Sequence, residues 1–291
     1  MGGLLFAGGA CLTMFSPPKA HVSEASILYL KLDGIITESD KLLKQLKEYR
    51  RDENIKAVIL HVNSPGGVVG PSQEIYEEIK RTREHWKKPV IVSAESLMAS
   101  GAYYIAVGAD KIVTNAGTLV GSIGVIMDFA NLKELYQWAK IERYSIKTGP
   151  FKDTGAEYRA MSPEERAYLQ KMLDEVHMQF KKAVAEGRNL PMEKVVEQSD
   201  GRIFTGEQAV AMGFADKVGT LGDAVRLAGE MTGLGEDPEV FQPPKERPGL
   251  FEIYESFSGE ESIFKSTLNE ALALKLNGQP LLLYPGARGL R

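Results

Sequence analysis

The chain has 291 residues, with 35 Lys and Arg against 39 Asp and Glu, a formal charge of −4. Its 43% hydrophobic and 25% charged content fits a soluble globular protein and excludes disorder over most of its length. The mild acidity and the lack of a basic stripe argue against nucleic-acid binding. A single cysteine excludes an intrachain disulfide framework, and His21, His61, His85 and His177 are too scattered for a HExxH metal site, so no metal or cofactor is expected.

Residues 1–15, MGGLLFAGGACLTMF, carry no charge but are shorter than the ~20 apolar residues of a membrane-spanning helix. They read as the stump of a transmembrane anchor, as a lipoprotein-like segment ending at Cys11, or as a buried or disordered arm. Pro17, Pro18 and Lys19 then look like a linker, so residues 1–25 are set apart from the core.

From residue 26 a strand–helix alternation begins. SILYLKL (26–32) reads as a strand and 40–50 as an amphipathic helix with Leu42, Leu43, Leu46 and Tyr49 inward. IKAVILHV (55–62) is a near-continuous apolar run, as in a strand buried on both faces, and NSPGG (63–67) breaks it. A helix is predicted over 71–86, a strand over 89–94 and a small-residue helix over 98–108. Short β segments follow at 111–115 and 118–127, then a helix at 131–139 and a strand at 141–148. The order implies an α/β fold with a largely parallel sheet.

The remainder is more helical. Ser162 is a predicted N-cap with Pro163 at the first position of a helix running to about 187, and a shorter helix covers 191–199. Residues 202–219 read as strand, helix and strand with Thr205 as cap, and 221–232 as a last helix. Beyond 236 the frequent Pro and Gly predict an extended tail, with an apolar patch at 281–284.

Three segments carry candidate chemistry. Asn63-Ser64-Pro65-Gly66-Gly67 ends a buried strand; in isolation it reads first as a plain tight turn, and alternatively its paired glycines would let backbone N–H groups face a ligand, as an oxyanion hole requires. Ser100, in SGAYY (100–104), stands at a strand-to-helix transition, either as nucleophile or as a simple N-cap. The loop Thr148–Gly155 carries Lys152, which is either solvated or a desolvated base partnering a serine. No histidine is placed for a Ser-His-Asp triad. Val125 stands about 25 residues after Ser100, where a Clp-type histidine would fall. His61 reads as a satisfied core residue, His85 as part of a solvated helix end and His177 as a surface residue of the long helix.

In the order NSPGG, SGAYY, GPFKD, residues 27–235 resemble the signal peptide peptidase A family, short single-core bacterial type. The resemblance implies a Clp/crotonase-like core of repeated ββα units over 26–235, with a helical C-terminal part and a tail at 236–291. It implies Ser100 as nucleophile, Lys152 as general base, Ser122 of TLVGSIGV as the residue orienting that lysine, and the N–H groups of Gly67 and Gly101 as oxyanion donors. It further implies a membrane-associated serine endopeptidase degrading remnant signal peptides through an acyl-enzyme. Its expected place is the bacterial cytoplasmic membrane, attached through the N-terminal segment with the core outside the cytoplasm. Octameric assembly, with active sites shared between neighbours, also follows from the resemblance. Competing readings are an NfeD-type Ser-Lys membrane protease, a crotonase-like acyl-CoA enzyme and a non-catalytic scaffold on the same fold.

Overall fold

The computed structural model describes residues 21–244 and the backbone of 281–283. The expectations for residues 1–20 and for most of the tail lie outside the described residues.

The strands with the most continuous apolar runs occupy the centre of an eight-stranded sheet. β1 (Ser26–Asp33) and β2 (Ile55–Ser64) pair in parallel over their whole length, and β2 pairs in parallel with β4 (Val90–Ala99). β4 then divides its pairing. Its first half, Ile91–Ala94, lies beside β5 (Lys111–Thr114), and its second half, Leu97–Ala99, lies beside β6 (Leu119–Gly121). β7 (Ile203–Thr205) closes one edge antiparallel to β6, and β8 (Lys217–Val218) pairs with β5. β9 (Val240–Phe241) adds to β1 on the other edge.

Alternation along the central strands divides the core between the two faces of the sheet. Leu28, Leu30, Val58, Leu60, Val90 and Val92 point to one face, which is covered by α1 (Asp40–Tyr49), α2 (Val69–Glu84) and α3 (Gly101–Ala106). Ile27, Ala57, Ile59, Ile91 and Val113 point to the other, where α8 (Leu221–Thr232) lies on them through the small side chains Ala224 and Ala228. Burying an Ile or Leu side chain of this kind stabilises by ~1.5–3 kcal/mol.

The long helix α5 (Pro163–Arg188) starts at a complete capping box, Ser162 with Glu165, and ends at the left-handed Asn189. Its Phe180 packs with Tyr103 and Tyr104 of α3, and the Tyr103 hydroxyl donates to the Phe214 carbonyl (2.9 Å). Burial raises the Tyr103 pKa, so that phenol remains a donor at neutral pH. Arg188 pairs with Asp216 at 2.8 Å. Burial alone would raise the Asp216 pKa, but the hydrogen bond and charge of Arg188 carry it below the ordinary value. α6 (Met192–Glu197), α7 (Gly206–Met212) and the short α4 (Lys133–Trp138) complete the described helices. α7 is capped by Thr205, as expected.

Four expectations are corrected. NSPGG does not end the pairing, because Ser64 still opposes Met98 and Gly66–Val68 forms a further strand, β3. The helix expected from residue 98 begins at Gly101, since Met98 and Ala99 are held by Val120 and Gly121 of β6. The β segment expected at 118–127 contracts to 119–121. No strand forms at 141–148: its β-branched and aromatic residues lie exposed with no neighbouring strand, and β-propensity without a partner does not fix a strand.

Among the described residues no helix is long and apolar enough to cross a membrane.

Candidate active site

β4 delivers Ser100. The serine follows the last paired residue, Ala99, and precedes α3, with φ 53° and ψ −117°. A non-glycine residue in that region carries strain of order 1–3 kcal/mol, and strained backbone of this kind clusters at active sites. The turn is fixed from both sides. The Ser100 N–H donates to the Gly121 carbonyl (2.7 Å), and the Ser100 carbonyl accepts from the Tyr104 N–H (2.8 Å). The side chain is left over: Ser100 is 1% exposed, and its Oγ is buried without a hydrogen-bond partner. A buried hydroxyl that nothing satisfies costs free energy, which marks it as a group kept for another purpose than packing.

Ser122 stands beside it. Ala99 and Gly121 are partners in the β4–β6 ladder, so Ser100 and Ser122 are each one residue past the same pair. Ser122 is also buried and also has positive φ (52°), held by its N–H donating to the Arg202 carbonyl (2.8 Å).

The glycine pair lies on β3, which packs against α3. The buried Ser64 hydroxyl orders the approach, donating to the Gly34 carbonyl (2.6 Å) and accepting from the Gly66 N–H (3.1 Å). Gly67 is required by proximity: a Cβ there would lie 2.0 Å from the Ile36 carbonyl oxygen. The outer edge of β3 receives β10 (Leu281–Leu283) antiparallel, with Leu282 opposite Gly67. This edge therefore accepts an extended chain. The apolar patch at 281–284 is legible in the sequence, but its pairing with β3 is encoded by no local pattern. Gly101 is the first residue of α3, so its N–H has no acceptor within the helix.

Lys152 is not brought to Ser100 within the chain. It is exposed, and among the described residues its ammonium meets no partner. The loop that carries it is nonetheless well built. Arg159 bridges Asp153 (2.7 Å) and the buried Glu165 (2.5 Å), and Lys147 also reaches Asp153 (2.5 Å). The Arg159 hydrogen bond is the main reason the Glu165 carboxyl is lowered to about 2, with the Ser162 N–H adding to it. Arg159 and then Lys147 hold Asp153 far below the ordinary range. Around this loop the segment 132–151 exposes Leu132, Leu135, Trp138, Ile141, Tyr144, Ile146 and Phe151, with Trp138 81% and Ile146 97% accessible.

Two histidines differ from expectation. His177 is half-buried rather than at the surface, its Nε2 lying 3.1 Å from the Ile123 carbonyl next to Ser122. Burial, and then the charge of Lys181, lower its pKa, so it is neutral at pH 7. His61 is not a satisfied core residue. Its Nε2 lies 3.3 Å from the Glu95 carboxylate, and its buried Nδ1 has no partner. Neither faces Ser100 through any described hydrogen bond.

A buried, strained serine beside glycine amides and a strand edge that takes up an extended segment can carry out acyl transfer. The comparisons agree with that chemistry. The model of peptidase family S49 matches residues 82–235, and that of Clp protease matches residues 14–120. The chain is 37% identical over 273 residues to a provisionally named protease of Synechocystis sp., covering 89% of this chain and 95% of that one. It is 38% identical over 227 residues to a similarly named protease of Methanocaldococcus jannaschii, covering 77% and 72%. With the chloroplastic serine protease SPPA of Arabidopsis thaliana it shares 32% identity over 83% of this chain and 36% of the longer relative.

Proposed function

The chain belongs to peptidase family S49 and is a serine protease of the SppA type, and on that premise we propose that Ser100 is its nucleophile and Lys152 the base, supplied by a neighbouring copy. The observation that carries this reading is the Ser100 hydroxyl, buried and unpartnered on a strained turn.

In this mechanism the neutral Lys152 amine takes the Ser100 proton as Oγ bonds to the peptide carbonyl carbon. The resulting oxyanion receives the N–H groups of Gly67 and Gly101. Collapse breaks the C–N bond, and the leaving amine takes the proton from the Lys152 ammonium. Water then attacks the ester, giving its proton to Lys152, and the proton returns to Ser100 Oγ as the acid leaves. Ser122, beside Ser100, holds the lysine in one rotamer, which its flexible stem needs.

The substrate is a hydrophobic peptide in extended form, such as a remnant signal peptide. It adds as an antiparallel strand to the β3 edge now paired with β10. Assembly follows from the exposure of Lys152 amid apolar side chains: a second copy covers that surface and brings the lysine to Ser100. An octamer, attached by the N-terminal segment to the cytoplasmic membrane with the core outside the cytoplasm, is the arrangement we assign. The acyl-CoA and scaffold readings have no comparable support, since the relatives compared above are named as proteases.

The test is hydrolysis of a fluorogenic peptide with an apolar P1 residue. Ser100→Ala and Lys152→Ala should each lose at least ~10³-fold in kcat while remaining folded and assembled. Wild-type rates from both variants would overturn the assignment.

A further inference from the structure

Between the paired residues Val62–Ala94 and Ser64–Met98, β2 has one residue, Asn63, and β4 has three, Glu95, Ser96 and Leu97. β4 therefore bulges at Glu95, and at this bulge it changes partner from β5 to β6. Bulges re-aim the strand that follows them and lie preferentially next to active sites. Here the strand that follows ends at Ala99 and delivers Ser100, five residues on from Glu95.

Side chains from one turn hold the bulge. The Asn115 amide donates to the carbonyls of Ala94 and Glu95 (both 3.1 Å), and the buried Thr118 hydroxyl donates to the Glu95 carbonyl (2.5 Å). The turn is closed by the Thr118 N–H donating to the Asn115 carbonyl (3.1 Å) and is backed by Gly206, where a Cβ would lie 2.0 Å from the Asn115 carbonyl oxygen. On the β2 side His61 approaches the Glu95 carboxylate. Residues 115–118 are also the connection between β5 and β6, the two partners that β4 exchanges. The turn thus sets the start of the β4–β6 ladder, and the last bond of that ladder's line is the one from Ser100 N–H to Gly121.

We propose that Asn115 and Thr118 are positioning residues for hydrolysis: by clamping the Glu95 carbonyl they fix the register that aims Ser100. This rests on the reading of Ser100 as nucleophile. Loosening the clamp lets the second half of β4 shift against β6, which displaces the serine from its oxyanion donors without touching the β3 edge that binds peptide. The effect falls on acylation and kcat and leaves KM nearly unchanged, because small misplacements of reacting groups cost rate steeply.

The experiment measures Ser100 acylation by a fluorophosphonate, with the modified residue identified by mass spectrometry, alongside kcat and KM for a peptide. All variants are the full assembled chain, held well below their melting temperatures. Thr118→Val removes the hydroxyl and keeps the shape, and we expect at least a tenfold slower acylation and kcat with KM within twofold. Thr118→Ser should restore both rates. Asn115→Asp, which loses the amide donor at equal size, should repeat the slow acylation and serves if Thr118→Val does not fold. Wild-type acylation rates in a folded Thr118→Val or Asn115→Asp protein, or failure of Thr118→Ser to rescue, overturn the clamp while Ser100 remains the labelled residue. Labelling of wild type at a residue other than Ser100 overturns the nucleophile reading and the clamp together.

Discussion

Gly67 combines two demands at one residue. In the proposed mechanism its amide faces a substrate carbonyl, and its Cα lies against Ile36, where a Cβ would fall 2.0 Å from a carbonyl oxygen. Gly67→Ala should therefore lower kcat by ~10²–10³-fold, the usual effect of losing an oxyanion donor. The forced shift of β3 should also destabilise by ~1–3 kcal/mol. Gly70→Ala is the matched control. Nothing lies within 4 Å of its Cβ, it sits in α2, and the change should raise stability by up to ~1 kcal/mol with activity retained. Thermal melts and peptide hydrolysis on the two variants separate the effects. His61 and His177 show what single residues conceal. Each looked ordinary in its segment, and only the neighbouring strand or helix reveals an orphaned Nδ1 in one and a bond to the Ile123 carbonyl in the other.

At the scale of elements, the loop 147–165 is tied by carboxylates with depressed pKa values, Asp153 and Glu165, both gripped by Arg159. A depressed carboxylate contributes stability that is fully present above its unfolded value, near ~4, and lost as pH falls through the folded one. For Glu165 that lower limit is about 2. Hydrogen exchange over residues 145–161 should thus show the same protection at pH 6 and pH 5, weakening below pH 4 and gone near pH 2. Fading between pH 6 and 5 would mean that the carboxylates do not hold the loop. The strand pair β3–β10 makes a second expectation. A chain ending at Pro280 leaves the β3 edge open, so KM for a peptide should fall several-fold while kcat is maintained; an unchanged KM would show that peptides bind elsewhere.

For the whole molecule the decisive feature is a buried serine and an exposed lysine in one chain. If neighbours complete each site, two inactive variants should rescue one another. Mixing Ser100→Ala with Lys152→Ala under conditions of subunit exchange should yield about a quarter of wild-type activity, since random pairing joins an intact serine to an intact lysine at about one site in four. A mixture as inactive as its components would place both groups in the same subunit. Trp138→Glu together with Ile146→Asp should lower the oligomeric mass in light scattering and take the activity with it, because both side chains are exposed apolar surface on the arm that carries Lys152.

The residues alone determined the α/β class, the strand–helix alternation through β1, α1, β2, α2 and β4, and the bounds of α8, because buried parallel strands are apolar throughout and helix caps are local chemistry. Short motifs also singled out the NSPGG glycines, Ser100 and Lys152, and the family resemblance they carry added Ser122 and the choice of Gly67. Tertiary structure alone decided that β4 runs on to Ala99, since the ladder with β6 joins residues more than twenty positions apart. It likewise decided that 141–148 forms no strand, that Leu281–Leu283 lies on β3, and that the bulge at Glu95 is clamped by Asn115 and Thr118. Each of these depends on which distant backbone supplies or withholds a hydrogen-bond partner, and no periodicity within a segment carries that information.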